Sequence, residues 1–141
     1  MIKHSTRYDN YAYRLSDVPA SAALIADGWE EGEFLSFDEN GELIKATAAT
    51  VPFMAMSSQR KGRNQFMGKT TNAASILFGA ARVSVTNFDS AKTYAPGAPL
   101  YVNATGALTT DKGSYLVGYA AGEVVDNYLT VMLVPPTPVG A

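Results

Sequence analysis

The chain has 141 residues, 47% of them hydrophobic and only 17% charged, against the ~25% charge usual for soluble domains. It has no cysteine and a single histidine, His4. This excludes disulfides, thiolate metal sites and cysteine nucleophiles, and it removes the side chain that most hydrolytic and metal chemistries recruit. A net charge of −2 is too near neutral for a generally basic nucleic-acid binder, and the length suits one domain with a real core.

Residues 1–21 read as an extended N-terminal arm. The opening residues, Met1 to Tyr8, are polar and lack the apolar run of a signal peptide, which predicts synthesis and retention in the cytoplasm of the producing cell. Tyr8, Tyr11 and Tyr13 stand close together, flanked by Arg7 and Arg14, and Tyr11, Tyr13 and Leu15 alternate with the period of a strand. Tyrosines so concentrated are not expected on a wholly solvated tail. They either pack on this chain's own body or anchor it to another subunit, where tyrosine offers large contact area at low entropy cost. Pro19 marks the break. Next, Ser16-Asp17 followed by Ala20-Ser21-Ala22 to Ala26, with Gly28 after, predicts one short capped helix.

From Gly32 the texture becomes strand and turn, and the predicted β-barrel domain spans 22–135, with 136–141 as a C-terminal tail. Glu33–Phe37 and Glu42–Ala46 flank Asp38-Glu39-Asn40-Gly41, a hairpin signal resting on residues that tolerate positive φ. Further strand candidates are Phe53–Ser57, Ala81–Thr86, Leu100–Asn103, Tyr115–Ala120 and Tyr128–Val134. No long helical period occurs, and apolar runs such as Val131 to Pro136 are too short to cross a membrane as a helix. The predicted fold is mainly β: a compact antiparallel barrel or tulip with at most short helical turns.

The hairpin has an echo. Residues 32–43 align with 97–108, so that Gly32 meets Gly97, Leu35 meets Leu100, Phe37 meets Val102, Gly41 meets Gly106 and Leu43 meets Leu108. At the same spacing Phe53-Met54-Ala55-Met56 falls on Gly118-Tyr119-Ala120-Ala121. One hairpin used twice explains this, each copy giving alternate apolar residues to one core. On this reading the linking stretch 58–96 is an insertion.

Charge divides along the chain. Asp27, Glu30, Glu31, Glu33, Asp38, Glu39 and Glu42 lie together without a base, and Arg60, Lys61, Arg63 and Lys69 follow without an acid. The basic run is either solvated surface or a complement to a partner, such as the acidic stretch of an identical neighbour; four bases make a weak phosphate footprint. Gly68-Lys69-Thr70 has the ending of a phosphate loop, but Arg63 stands where its first glycine belongs. Glu30, Glu31 and Glu33 invite comparison with a glycosidase pair, yet a charged turn accounts for them. Trp29 is either a sugar platform or a cover for one mouth of the barrel. No catalytic, metal or cofactor-binding residues are predicted, and no enzyme. The candidate partner-binding residues are Tyr8, Tyr11, Tyr13, Arg14, Arg60, Lys61 and Arg63.

The succession Gly28-Trp29-Glu30-Glu31-Gly32-Glu33-Phe34-Leu35, Gly41 to Ala46, Phe53 to Met56, Arg60 to Arg63, Pro96 to Tyr101, Gly106 to Thr109, Val117 to Ala120 and Leu129 to Leu133 resembles the small capsid decoration (cement) proteins of tailed bacteriophages. The resemblance covers most of 28–134 and rests on glycine, small and aliphatic residues. It implies a small β-barrel or β-tulip domain, often a homotrimer, on the outer capsid surface of the virion. Its partner there would be the major capsid protein, which it stabilises without cofactor, nucleic acid or membrane. Two alternatives stand beside it: another virion β-structure protein of the tail tube or head-completion type, and a carbohydrate-binding module.

Overall fold

A computed structural model describes residues 6–11, 14–60, 70–77 and 79–140, the side chains of 7–11 excepted. The chain is mainly β, as the sequence predicts. Its elements are β1 (Thr6–Tyr11), β2 (Arg14–Pro19), α1 (Ala22–Asp27), β3 (Phe34–Phe37), β4 (Leu43–Lys45), β5 (Phe53–Met54), β6 (Ala73–Leu77), β7 (Ala81–Val85), β8 (Pro99–Val102), β9 (Leu108–Thr109), β10 (Tyr115–Ala120) and β11 (Leu129–Pro138). α1 starts where Ser21 Oγ accepts from the Leu24 amide at 3.2 Å, not at Ser16-Asp17, which belong to β2, and stops at Gly28, whose φ is +81°. Six residues are too few to hold a helix alone; burial of Leu24, 2% exposed, holds this one.

The duplication extends well beyond the hairpin. β3 pairs with β4 and β5, β2 pairs with β6, and a bridge from Ala55 to Ile76 joins the two groups, giving the order β2-β6-β5-β3-β4. The six-stranded sheet, which curls into a half-barrel, runs β1-β7-β11-β10-β8-β9. Without β1, the second order repeats the first, strand for strand. Registers repeat too: Phe37 faces Leu43 as Val102 faces Leu108, and Phe34 faces Met54 as Pro99 faces Tyr119. Gly32 donates to Ala55 O as Gly97 donates to Ala120 O, and Met56 donates to Ser75 O as Ala121 donates to Thr130 O. The chain is two consecutive β units of one design. The stretch 58–96 is therefore not an insertion: it holds β6, the last strand of the first unit, and β7, the first strand of the second.

In each hairpin the turn is tied by its first polar side chain. Asp38 Oδ1 accepts from the amides of Asn40 and Glu42, and Asn103 Oδ1 accepts from those of Thr105 and Ala107. These are the local side-chain bonds that make Asx residues turn formers. Gly41 and Gly106 close the two turns at φ +78° and +79°. Of Asn40-Gly41, only the glycine takes the positive φ the dipeptide suggests.

Residues 1–21, read as an arm, are extended over their described part, and their strand partners lie in the same chain. β1 runs antiparallel beside β7, and β2 beside β6. β1 thus covers the edge of β7. Among the described residues, β2 pairs with β6 alone; that pairing carries a register shift between Leu15 and Val18, with Asp17 at φ +56°, a bulge of the kind that blunts an exposed edge. At the other end β11 continues to Pro138, paired with Tyr115, so the predicted tail begins as strand.

Two apolar clusters result. The smaller lies inside the first unit: Val18, Leu24, Trp29, Leu35, Leu43 and Ile76 under α1. The larger joins Val83, Val85, Leu100, Leu108, Leu129 and Val131 of the second unit to Phe34, Met54 and Leu77 of the first. The outer face of unit one therefore packs against unit two. Asn87, 5% exposed, fastens the join: its Nδ2 donates to Gly32 O and to Gly106 O, both at 3.0 Å. Gly106 O also accepts from the Phe34 amide.

Two outcomes follow from this join. Asn87→Ala strips a donor from buried carbonyls in both units and is expected to lower the unfolding free energy by roughly 1–3 kcal/mol in a urea titration. The paired turns separate strain from crowding. A Cβ at position 41 meets nothing within 4 Å, whereas one at 106 lies 3.3 Å from Phe34 O. Gly41→Ala is expected to cost about 1 kcal/mol for its left-handed backbone, and Gly106→Ala roughly 1–3 kcal/mol more. Equal losses would mean that the turn at 106 is not pressed against unit one.

Candidate functional site

Of the candidate partner-binding residues, Tyr8, Tyr11, Arg14 and Arg60 lie among the described residues. Within β1, Tyr8 stands opposite Val83 and Tyr11 opposite Ala81, so the backbone of both belongs to the six-stranded sheet. Tyr13, Lys61 and Arg63 lie outside the described residues. Arg14 is exposed at the start of β2, opposite Leu77. Arg60 is exposed too, and its main chain exchanges hydrogen bonds with Thr71.

Within the acidic stretch Glu30, Glu31 and Glu33 make local bonds. Glu33 Oε1 accepts from the Glu30 amide at 3.1 Å, and its Oε2 meets Lys45 Nζ at 2.5 Å. Glu30 accepts from the Ser58 hydroxyl, whose oxygen takes the Glu31 amide, and Glu31 accepts from the Thr6 amide. These carboxylates fasten the entry to β3 against the strands around it. Glu30 and Glu33, with Asp27, Trp29, Lys45 and Gln59, line an open pocket of about 230 Å³. Among the described residues, no group of three or more His, Asp or Glu is arranged to hold a metal ion.

Trp29 is not a sugar platform. It is 3% exposed, packed in the first unit's core, and its Nε1–H finds no partner among the described residues. Gln59 straps the loop behind it, with Nε2 donating to Ile25 O and Thr71 O. A wider open groove, about 630 Å³, lies where β3 and β5 approach the start of β10, between Phe37, Val51, Phe53 and Tyr115. Phe37 and Phe53 meet edge to face there, 5.5 Å apart. Among the described residues no helix is long and apolar enough to cross a membrane.

Sequence reasoning missed Asn87 and Tyr94. Tyr94 precedes Gly97 by the same interval as Trp29 precedes Gly32, and both rings are 3% exposed. That spacing was the available signal. The Tyr94 hydroxyl donates to Asp89 O at 2.7 Å and to Leu108 O at 3.3 Å. Burial, with the nearby Asp89 charge, pushes the phenol up to about 12, although the Asp89 backbone bond pulls the other way.

No family model matches the chain, and comparison with curated proteins and with solved structures also finds no match.

Tyr94 makes a pH prediction with a definite sign. Its acid form is favoured in the fold, so its contribution is complete below the unfolded phenol value of about 10 and is lost as pH rises toward about 12. Thermal melts between these limits are expected to show a fall in stability on the order of 2 kcal/mol. Tyr94→Phe is expected to be less stable at neutral pH and to show a shallower alkaline fall. An unchanged alkaline slope in that variant would assign the effect to other groups.

Proposed function

We propose that this chain is a structural virion protein that binds the outside of an assembled bacteriophage capsid and holds neighbouring copies of the major capsid protein together. The observation that carries the reading is the sequence resemblance over residues 28–134. Its glycine and aliphatic positions are the ones that build both β units: Gly32 with Gly97, Gly41 with Gly106, and Leu35 with Leu100.

The chemistry of the body is compatible with this role. Glu30, Glu31 and Glu33 secure turns and strands, and Asn87 and Tyr94 secure the second unit and its junction with the first. A cement protein needs rigidity and several modest contacts; tying more than one shell subunit lets avidity multiply them. The low charge suits a subunit covered on its flanks by neighbours. The carbohydrate-binding alternative loses its main residue with the burial of Trp29.

Quantitative mass spectrometry of purified particles from the phage that encodes the chain tests the proposal. A ratio close to one copy per major shell subunit is expected, with release of the protein weakening the heads against heat. Absence from particles, or only a few copies in each, would overturn it.

A further inference from the structure

The two hairpin turns are tied alike and differ in what stands free within them. In unit one Asp38 Oδ1 takes the amides of Asn40 and Glu42; in unit two Asn103 Oδ1 takes those of Thr105 and Ala107. Unit two thus uses its asparagine as the tie, and the same oxygen also takes the Thr105 hydroxyl at 2.8 Å. Unit one uses a carboxylate as the tie and carries its asparagine two residues later. Asn40 is exposed, and its carboxamide has no hydrogen-bond partner among the described residues. Gly41 follows it, the one place in the chain where glycine follows asparagine.

A free asparagine side chain before glycine meets the requirements of one intramolecular reaction. The Gly41 nitrogen, losing its proton to water, attacks Asn40 Cγ. A C–N bond forms, the Cγ–Nδ2 bond breaks and ammonia leaves, which closes a five-membered succinimide. Water then opens the ring at either carbonyl. One opening leaves aspartate at position 40; the other leaves isoaspartate, with the main chain running through the former side chain. Water is the only co-reactant. Glycine has no Cβ to obstruct the approach, and a Cβ at 41 would meet nothing within 4 Å, so the rest of the protein does not crowd the ring. The Gly41 amide donates to Asp38 O at 3.1 Å, and this bond has to open first. It lies in an exposed turn, where water replaces it at little net cost.

We propose that Asn40 is a site of spontaneous deamidation in the native protein, and that Asn103 in the equivalent turn is not. Asn103 has two protections: Ala104 follows it, and its carboxamide oxygen is held by three hydrogen bonds. At position 40 the new charge joins Asp38, Glu39 and Glu42 in one turn, where like charges repel. Isoaspartate also lengthens the main chain between Asp38 and the Glu42 amide that its side chain ties. Ageing therefore falls on the hairpin of unit one and spares its twin.

The full-length native protein is held at physiological temperature and mildly alkaline pH for several weeks, beside a sample in denaturant, and both are then digested with trypsin. Asn40 falls in peptide 15–45 and Asn103 in peptide 93–112, and neither peptide holds another asparagine or any glutamine. Relative to unaged protein, most of native peptide 15–45 is expected to gain the mass of an NH2-to-OH exchange. Its fragments place the gain at position 40, and the product splits into two species of equal mass. Native peptide 93–112 is expected to stay unchanged. Gly41→Ala keeps the asparagine and is expected to slow the gain several-fold. The proposal is overturned if native peptide 15–45 stays intact while its denatured counterpart converts, or if both native peptides convert equally. Conversion of Gly41→Ala at the wild-type rate would overturn it as well.

Discussion

Two units of one design share a core here because their facing surfaces differ, and the buried Asn87 amide is where the difference is fixed. Its side chain is shut away from water, only 5% of the residue being exposed. A donor group shut away from water costs free energy unless it is bonded. Asn87 has its bonds only when Gly32 of one hairpin and Gly106 of the other stand at the right separation. Phe34 then lies against the second unit, its amide also bonded to Gly106 O. The apolar contacts of Phe34, Met54 and Leu77 supply attraction without direction; the amide supplies the register.

Placement of the other polar groups follows from that junction. The backbone enters β3 through Glu30, Glu31 and Glu33, and each carboxylate bonds a neighbouring donor. Its equivalent entry to β8 is Ala95-Pro96-Gly97-Ala98, which has no acid, and Tyr94 supplies the nearby tie instead. The same turn is therefore stabilised by charge in one unit and by a buried phenol in the other. Such a body fits a role in which shape and durability matter.

Much of this was legible in the sequence. The hairpin 33–46, its echo at 97–108, the capped helix at 22–27 and the β character all appear in the structure. Those signals are local: glycine at a left-handed turn, serine at a helix start, alternation along a strand. The full extent of the duplication was hidden because the stretch after Ser21 and the loop after Met56 are longer in unit one, which breaks the constant spacing that joins Leu35 to Leu100. β6, Ala-Ala-Ser-Ile-Leu, has too few large side chains to announce itself. Strand pairing is non-local, so nothing in Tyr8 or Tyr11 could say that their partners are Val83 and Ala81. Nor could Trp29 declare its burial, which depends on Leu24, Leu35, Leu43 and Ile76 joining it in one core.

The central claim is that both units form a single cooperative body through their shared core. Amide hydrogen exchange under native conditions measures this directly, residue by residue. The Phe34, Gly32 and Ala55 amides of unit one are expected to exchange as slowly as the Gly97 and Ala120 amides of unit two, all through one global opening. Unit-one amides exchanging orders of magnitude faster, while those of unit two stay protected, would contradict it.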